Sequence, residues 1–223
     1  KSDKEKIISS LKDLGYYFST VDVYVNNLED KKVDITYDIY LGDKSKIKKI
    51  SFIGDKKFKD RKLRGVILSE EYKFWKFISG KKYLNEGMIE FDKRLLTNYY
   101  LNKGYYSVKI NTSFAKLIEN NEFELIYNIN AGEKLFFGDL TLGLPVDYNK
   151  DNFFKLEKLF KKLKNEPYSI YSIEKILEEI DILALDEQYE SVNVQVLENI
   201  NDDKLNIKFD ILETEKFYVE RIN

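Results

Sequence analysis

The chain has 223 residues, 43 % hydrophobic and 34 % charged, and 37 basic against 39 acidic residues leave a formal net charge of −2. That balance describes a folded chain and lacks the clustered basic excess of a nucleic-acid binder, so no nucleic-acid partner is expected. With no histidine and no cysteine, the chain has no imidazole base, thiol nucleophile, thiolate metal site or disulfide, so neither catalysis nor a metal or cofactor is expected.

The first residues open an amphipathic helix, with Ser2 or Asp3 near its start and Ile7, Ile8, Leu11 and Leu14 on one stripe. They lack the apolar core of a signal peptide. Gly15 follows the helix, where a left-handed residue is wanted, and opens the run Gly15-Tyr16-Tyr17. A hairpin comes next, turning at Glu29-Asp30 and ending in a strand with Ile35, Tyr37, Ile39 and Leu41 on one face. A short strand is read over Ile47–Ile53 and a helix over Asp60–Tyr72, with Leu63, Val66 and Ile67 inward.

The following loop carries Phe74, Trp75 and Phe77, an aromatic group suited either to anchoring a partner or to plugging a core. Next comes a helix with Asn85 as N-cap and Met88, Phe91, Leu95 and Tyr99 on its stripe, closed by Gly104. A strand is read over Tyr105–Ala115, placing Tyr106, Val108 and Ile110 inward and Tyr105, Ser107, Lys109, Asn111 and Ser113 outward. After a turn at Asn120-Asn121, its partner places Phe123, Leu125, Tyr127, Ile129 and Ala131 on one face. Tyr106, Val108, Ile110, Met88, Leu95, Tyr99, Leu125, Tyr127 and Ile129 are expected to share a core.

The pattern then recurs. A strand over Phe137–Leu142 leads to a helix over Asn152–Leu163, with Phe153, Leu156, Leu159, Phe160 and Leu163 inward. A second helix, capped by Ser172, carries Ile173, Ile176, Leu177, Ile180 and Ala184 inward. A last hairpin turns at Asn201-Asp202-Asp203 and ends in Leu205, Ile207, Phe209 and Ile211, and Tyr218–Ile222 opens another strand. Gly42, Gly132 and Thr214 hold equivalent places, 90 and 82 residues apart, so the unit is a β-α-α-β-β module. The fold class is α+β, each module a three-stranded sheet with two helices on one face. The divisions are 1–44, the end of a module; 45–134 and 135–216, two complete modules; and 217–223, the first strand of another. The chain is therefore read as a piece of a longer array.

These runs carry a resemblance that covers the whole chain. Gly42-Asp43-Lys44 through Ile50-Ser51-Phe52-Ile53-Gly54-Asp55, with Asp55 in place of the usual Asn, resembles the opening of a POTRA repeat of the Omp85 family, BamA branch. Trp75 through Gly80-Lys81-Lys82-Tyr83 and Asn98 through Gly104-Tyr105 are similar to the third repeat of that branch, and Phe217–Asn223 to the opening of the fifth. The resemblance implies a periplasmic arm of an outer-membrane protein, preceding a membrane β-barrel that lies outside this sequence. It implies binding of unfolded outer-membrane proteins and docking of accessory lipoproteins during barrel insertion. The alternative is an arm or spacer of another Omp85 or two-partner secretion transporter.

Such a sheet leaves strand edges, which can accept an extended peptide by β-augmentation. The candidate edge is Tyr105–Ala115, whose outward charge before Lys116 is Lys109 alone, and the site residues expected on it are Tyr105, Ser107, Lys109, Ile110, Asn111 and Ser113. The Phe74, Trp75 and Phe77 loop is the second candidate. Glu178, Glu179 and Asp181 read as a solvated helix face, and Glu70-Glu71 lacks the second acid pair that would mark a pocket.

Overall fold

A computed structural model describes residues 2–29, 32–73, 80–117, 121–187 and 192–213. The chain divides into two compact units, residues 1–97 with 109–131 and residues 98–108 with 132–223.

The first unit opens with helix α1 (Ser2–Asp13), followed by strands β1 (Thr20–Asn27) and β2 (Val33–Tyr40), paired antiparallel from Thr20↔Tyr40 to Asn27↔Val33. Its main sheet has the order β3-β5-β4, made of β3 (Lys46–Asp55), β4 (Lys109–Leu117) and β5 (Glu122–Asn130). Central β5 runs parallel to β3 and antiparallel to β4. A parallel pair needs a crossover, supplied here by helices α2 (Asp60–Arg64) and α3 (Glu86–Leu101).

Period-2 alternation places Ile50 and Phe52 of β3 and Leu125, Tyr127 and Ile129 of β5 in the core. Each large side chain hidden there contributes about 1.5–3 kcal/mol relative to its exposed state. On β2, Ile35, Tyr37 and Ile39 alternate in the same way and are 48 %, 36 % and 42 % exposed. Alternation defines a face, and burial follows only where another element covers it.

Three expectations for residues 60–110 need correction. Helix α2 stops at Arg64 instead of reaching Tyr72. Gly65 caps it, β-branched Val66 and Ile67 follow, and the chain leaves the helix with Leu63 and Ile67 buried and Val66 only partly so. On α3 the fully buried stripe is Ile89, Asp92, Leu96 and Tyr100, with Met88, Leu95 and Tyr99 half-buried beside it and Phe91 41 % exposed. A polar residue on the inward stripe hid the true register, because the apolar pattern alone is offset by one position. The face Tyr106-Val108-Ile110 also fails as one strand face, since β4 begins at Lys109; only Ile110 is a buried strand residue. Asn85 does cap α3, its side-chain oxygen accepting the Met88 N–H at 2.6 Å.

The second unit repeats the plan. Its sheet has the order β6-β8-β7, from β6 (Phe136–Gly143), β7 (Val192–Asn201) and β8 (Lys204–Glu213). Central β8 is parallel to β6 and antiparallel to β7. A 3-10 turn at Lys150–Phe153 leads into α4 (Phe154–Leu163), and α5 (Ile170–Asp186) follows. The core joins Phe137, Phe153, Leu156, Phe160, Ile173, Ile176, Ile180, Leu205, Ile207, Phe209 and Ile211. Ser169, not Ser172, caps α5: its hydroxyl accepts the Ser172 N–H at 3.4 Å. Ser172 therefore lies in the first turn that Ser169 caps.

The recurring glycine has a defined task. Gly15 and Gly104 have φ of +93° and +96°, a region costly for any side chain. In the first unit the Gly15 carbonyl accepts the Ser45 N–H at 2.8 Å, and in the second the Gly104 carbonyl accepts the Leu135 N–H, also at 2.8 Å. Each glycine thus turns the end of one helix onto the residue that leads into the next module's first strand.

Candidate functional site: the strand edges

Strand β4 is an edge of its sheet. Which of its backbone groups face outward follows from hydrogen bonds at the two ends of β5. The Ala131 N–H donates to Asp55 O at 3.1 Å, and Asn121 O accepts the Lys46 N–H at 2.8 Å. Successive residues of a strand turn their N–H and C=O to opposite sides. The odd-numbered residues of β5 therefore bond β3, and the even-numbered ones bond β4. In the β4–β5 register, Lys109, Asn111 and Ser113 lie opposite Asn130, Asn128 and Ile126, and so are the ladder-bonded residues. Ile110, Thr112, Phe114 and Lys116 turn their N–H and C=O to the free edge.

The candidate site residues thus separate into groups. Ile110 presents its backbone to the edge and is 8 % exposed, with its side chain in the core. Lys109 and Asn111 have exposed side chains and backbones spent on the ladder, and Ser113 has its backbone in the ladder too. Tyr105 and Ser107 lie in the turn before β4. Tyr105 packs its ring on Tyr100 with centroids 5.7 Å apart, and Ser107 lies beside Gly132. Tyr106 belongs to the second unit, where its ring packs edge-on against Tyr168 at 5.2 Å and its hydroxyl donates to the Glu198 carboxylate. That hydrogen bond, followed by burial and the Glu198 charge, pushes the Tyr106 phenol up to about 12. Burial, then the Glu198 charge, raises Tyr168 to about 12 as well. Phe74, Trp75 and Phe77 lie outside the described residues.

The opposite edge of the same sheet is closed, by residues that composition and period do not mark. Ile50 of β3 lies opposite Leu125, an odd-numbered residue of β5, so its backbone faces away from β5. Its N–H donates to Glu71 Oε1 at 3.0 Å, and its carbonyl accepts from Arg64 Nη2 at 2.8 Å. Arg64 and Glu71 are themselves paired at 3.3 Å. Phe52 O, two residues on, accepts from Lys56 Nζ at 3.0 Å, and Ile47 O from the Tyr72 N–H at 2.6 Å. Side chains and a passing loop thus occupy the groups that another strand would use. Glu71 has its role here, away from any acid pair. A fully buried carboxylate, Asp92, supports the segment between these groups. It accepts the Leu68 N–H at 2.6 Å, the Ser69 N–H at 3.2 Å and the Tyr127 hydroxyl at 2.8 Å. Burial, then the Asp92 charge, raises the Tyr127 pKa and keeps it a donor.

A three-stranded sheet with its third strand central and its crossover made of two helices is the architecture of a POTRA repeat, and residues 45–132 match the family described as POTRA, surface antigen variable number repeat. Residues 136–213 repeat the same strand order. The chain is similar to the outer membrane protein assembly factor BamA: the Neisseria meningitidis serogroup B protein is 25 % identical over 202 residues, 89 % of this chain and 25 % of that relative. The BamA of Neorickettsia risticii is 21 % identical over 204 residues, 88 % of this chain and 26 % of its own length. The crystal structure of Haemophilus influenzae BamA POTRA3-5 shares the fold with a TM-score of 0.54 at 17 % identity, covering 94 % of this chain and 78 % of that one. This chain spans about a quarter of the length of the curated relatives it matches.

Proposed function

We propose that this chain is part of the periplasmic arm of an outer-membrane protein assembly factor, and that it receives extended segments of unfolded outer-membrane proteins on the edge of β4. The repeats of the arm are taken as 45–134 and 135–216, flanked by parts of repeats at 1–44 and 217–223. Docking of accessory lipoproteins belongs to the same reading, as does a membrane β-barrel beyond the arm. It is not the reading of an enzyme: binding is the whole activity.

The observation that carries the reading is the contrast between the two edges of one sheet. On β3, side chains bond the N–H and C=O of Ile50 and the C=O of Phe52. On β4, no described residue outside the sheet bonds the outward groups of Ile110 or Thr112. Backbone pairing carries little sequence information, which suits a receiver of many different clients. The similarity to assembly factors supplies the class of client.

The test is proline at Thr112, whose N–H faces the edge, against proline at Asn111, whose N–H is in the ladder. Thr112→Pro should stay folded by circular dichroism and lose binding of an unfolded barrel-strand peptide. Lys109→Ala and Asn111→Ala should keep it. Undiminished binding by folded Thr112→Pro removes β4 as the site.

A further inference from the structure

The second complete repeat differs from the first at the edge of its opening strand. Phe136 of β6 donates its N–H to Asp203 O at 2.8 Å, so the odd-numbered residues of β8 face β6. Leu140 lies opposite Ile207 and Leu142 opposite Phe209. These are the places that Ile50 and Phe52 hold opposite Leu125 and Tyr127. The N–H and C=O of Leu140 and Leu142 therefore point away from β8. Both strands change register just before this point, between Ile47 and Lys49 in β3 and between Phe137 and Leu140 in β6. The start of β6 is covered: Phe137 N–H donates to Glu166 O at 2.9 Å, and Phe137 O accepts the Asn165 N–H at 2.8 Å. From Leu140 onward, among the described residues, nothing corresponds to the Arg64, Glu71 and Lys56 bonds.

A groove borders that open stretch. It has a volume of about 570 Å³, with Leu140, Leu142, Tyr148, Leu156 and Phe160 along its apolar wall. Its rim carries Lys150, Lys161 and Lys164 against Asp139 and Glu157. Lys164 pairs with Asp139 at 2.6 Å and Lys150 with Glu157 at 3.6 Å, which leaves Lys161 as the excess cation. Helix α4, the outer wall, reads FKLEKLFKKL, with four lysines and one glutamate.

We propose that the β6 edge at Leu140–Gly143 is a second strand-addition site, and that its occupant is an extended peptide segment of another polypeptide with alternating apolar residues and an acidic flank. The outward N–H and C=O of Leu140 and Leu142 pair with its backbone, alternate apolar side chains enter the groove, and an acid meets Lys161. An acyl chain would fill the apolar wall but leave those backbone groups unpaired, so the open edge selects a peptide. The site is separate from β4 and does not depend on the reading given to that edge.

The test uses the whole chain and a short synthetic peptide that alternates valine with serine and glutamate. Amide exchange by nuclear magnetic resonance should show new protection at Leu140 and Leu142 when the peptide is added. Leu142→Pro removes one outward N–H without touching the β8 ladder. It should weaken binding at least about tenfold, as expected when a strand-adding peptide loses a main-chain hydrogen bond. The same peptide N-methylated at alternate residues should not bind, and a lysine-for-glutamate version should bind more weakly. Thr112→Pro should not alter protection at β6. Protection at Thr112 alone would leave the β4 site standing and overturn this one. So would equal affinity of folded Leu142→Pro, or capture of dodecanoate in the groove with no peptide protection of Leu140 and Leu142.

Discussion

Truncating Asp92 to alanine should be among the most damaging single changes in the first unit. The carboxylate is fully buried and accepts from Leu68 N–H, Ser69 N–H and Tyr127 O–H at 2.6, 3.2 and 2.8 Å. Alanine leaves three donors facing apolar surroundings. Each buried orphan costs about 1–3 kcal/mol. Partial relaxation of the 68–69 segment and rotation of the phenol bring the expected total to roughly 3–5 kcal/mol. Asp92→Asn keeps one acceptor oxygen and turns an NH2 toward a donor, so it should cost less, about 1–3 kcal/mol. In the double variant Asp92→Ala/Tyr127→Phe one orphan disappears, and the loss should be smaller than the sum of the two singles. The assay is urea-dependent hydrogen exchange, comparing β5 in the first unit with β8 in the second as an internal reference. A loss below about 1 kcal/mol for Asp92→Ala would refute the reasoning, because it would mean those donors find water or other acceptors at no cost. Equal losses for alanine and asparagine would refute it too.

Other outcomes follow from the same geometry. The Tyr106 phenol is raised to about 12, first by its hydrogen bond to Glu198, so the protonated form is favoured in the fold. Its stabilisation is complete below an ordinary tyrosine pKa of about 10 and is lost as pH rises through the folded value. The urea midpoint of the second unit should therefore fall from about pH 10 to 12 in the parent and fall less in Tyr106→Phe and Glu198→Gln. Gly104→Ala combines a φ of +96° with a Cβ placed 2.9 Å from Lys134 Cγ and 3.0 Å from Leu135 O. It should lower the stability of the second unit by about 1–3 kcal/mol in urea titration, and an unchanged midpoint would sink the glycine argument. Glu71→Ala should speed amide exchange at Ile50 while leaving exchange at Leu142 unchanged, and unaltered exchange at Ile50 would show that its N–H has another acceptor.

The repeats, the strand alternation and the helix-closing glycines were legible in the sequence. Each depends on local chemistry: period 2 for a sheet face, period 3.6 for a helix face, and a residue free to adopt positive φ after Leu14 or Lys103. The family likeness came from the same runs. The α3 register was not legible, because Asp92 stands on the inward face and its partners Leu68, Ser69 and Tyr127 are 24, 23 and 35 residues away. Nor did the sequence say whether Lys109 or Ile110 offers its N–H to the edge of β4. That alternation is decided by the direction of β5's bonds to β3, so it is a property of three strands together. Closure of one repeat's opening edge by Arg64, Glu71 and Lys56, and the openness of the other's at Leu140 and Leu142, likewise belong to tertiary structure. Both strands read as apolar alternation, and only the packed chain decides whether a side chain reaches back to occupy the outward backbone.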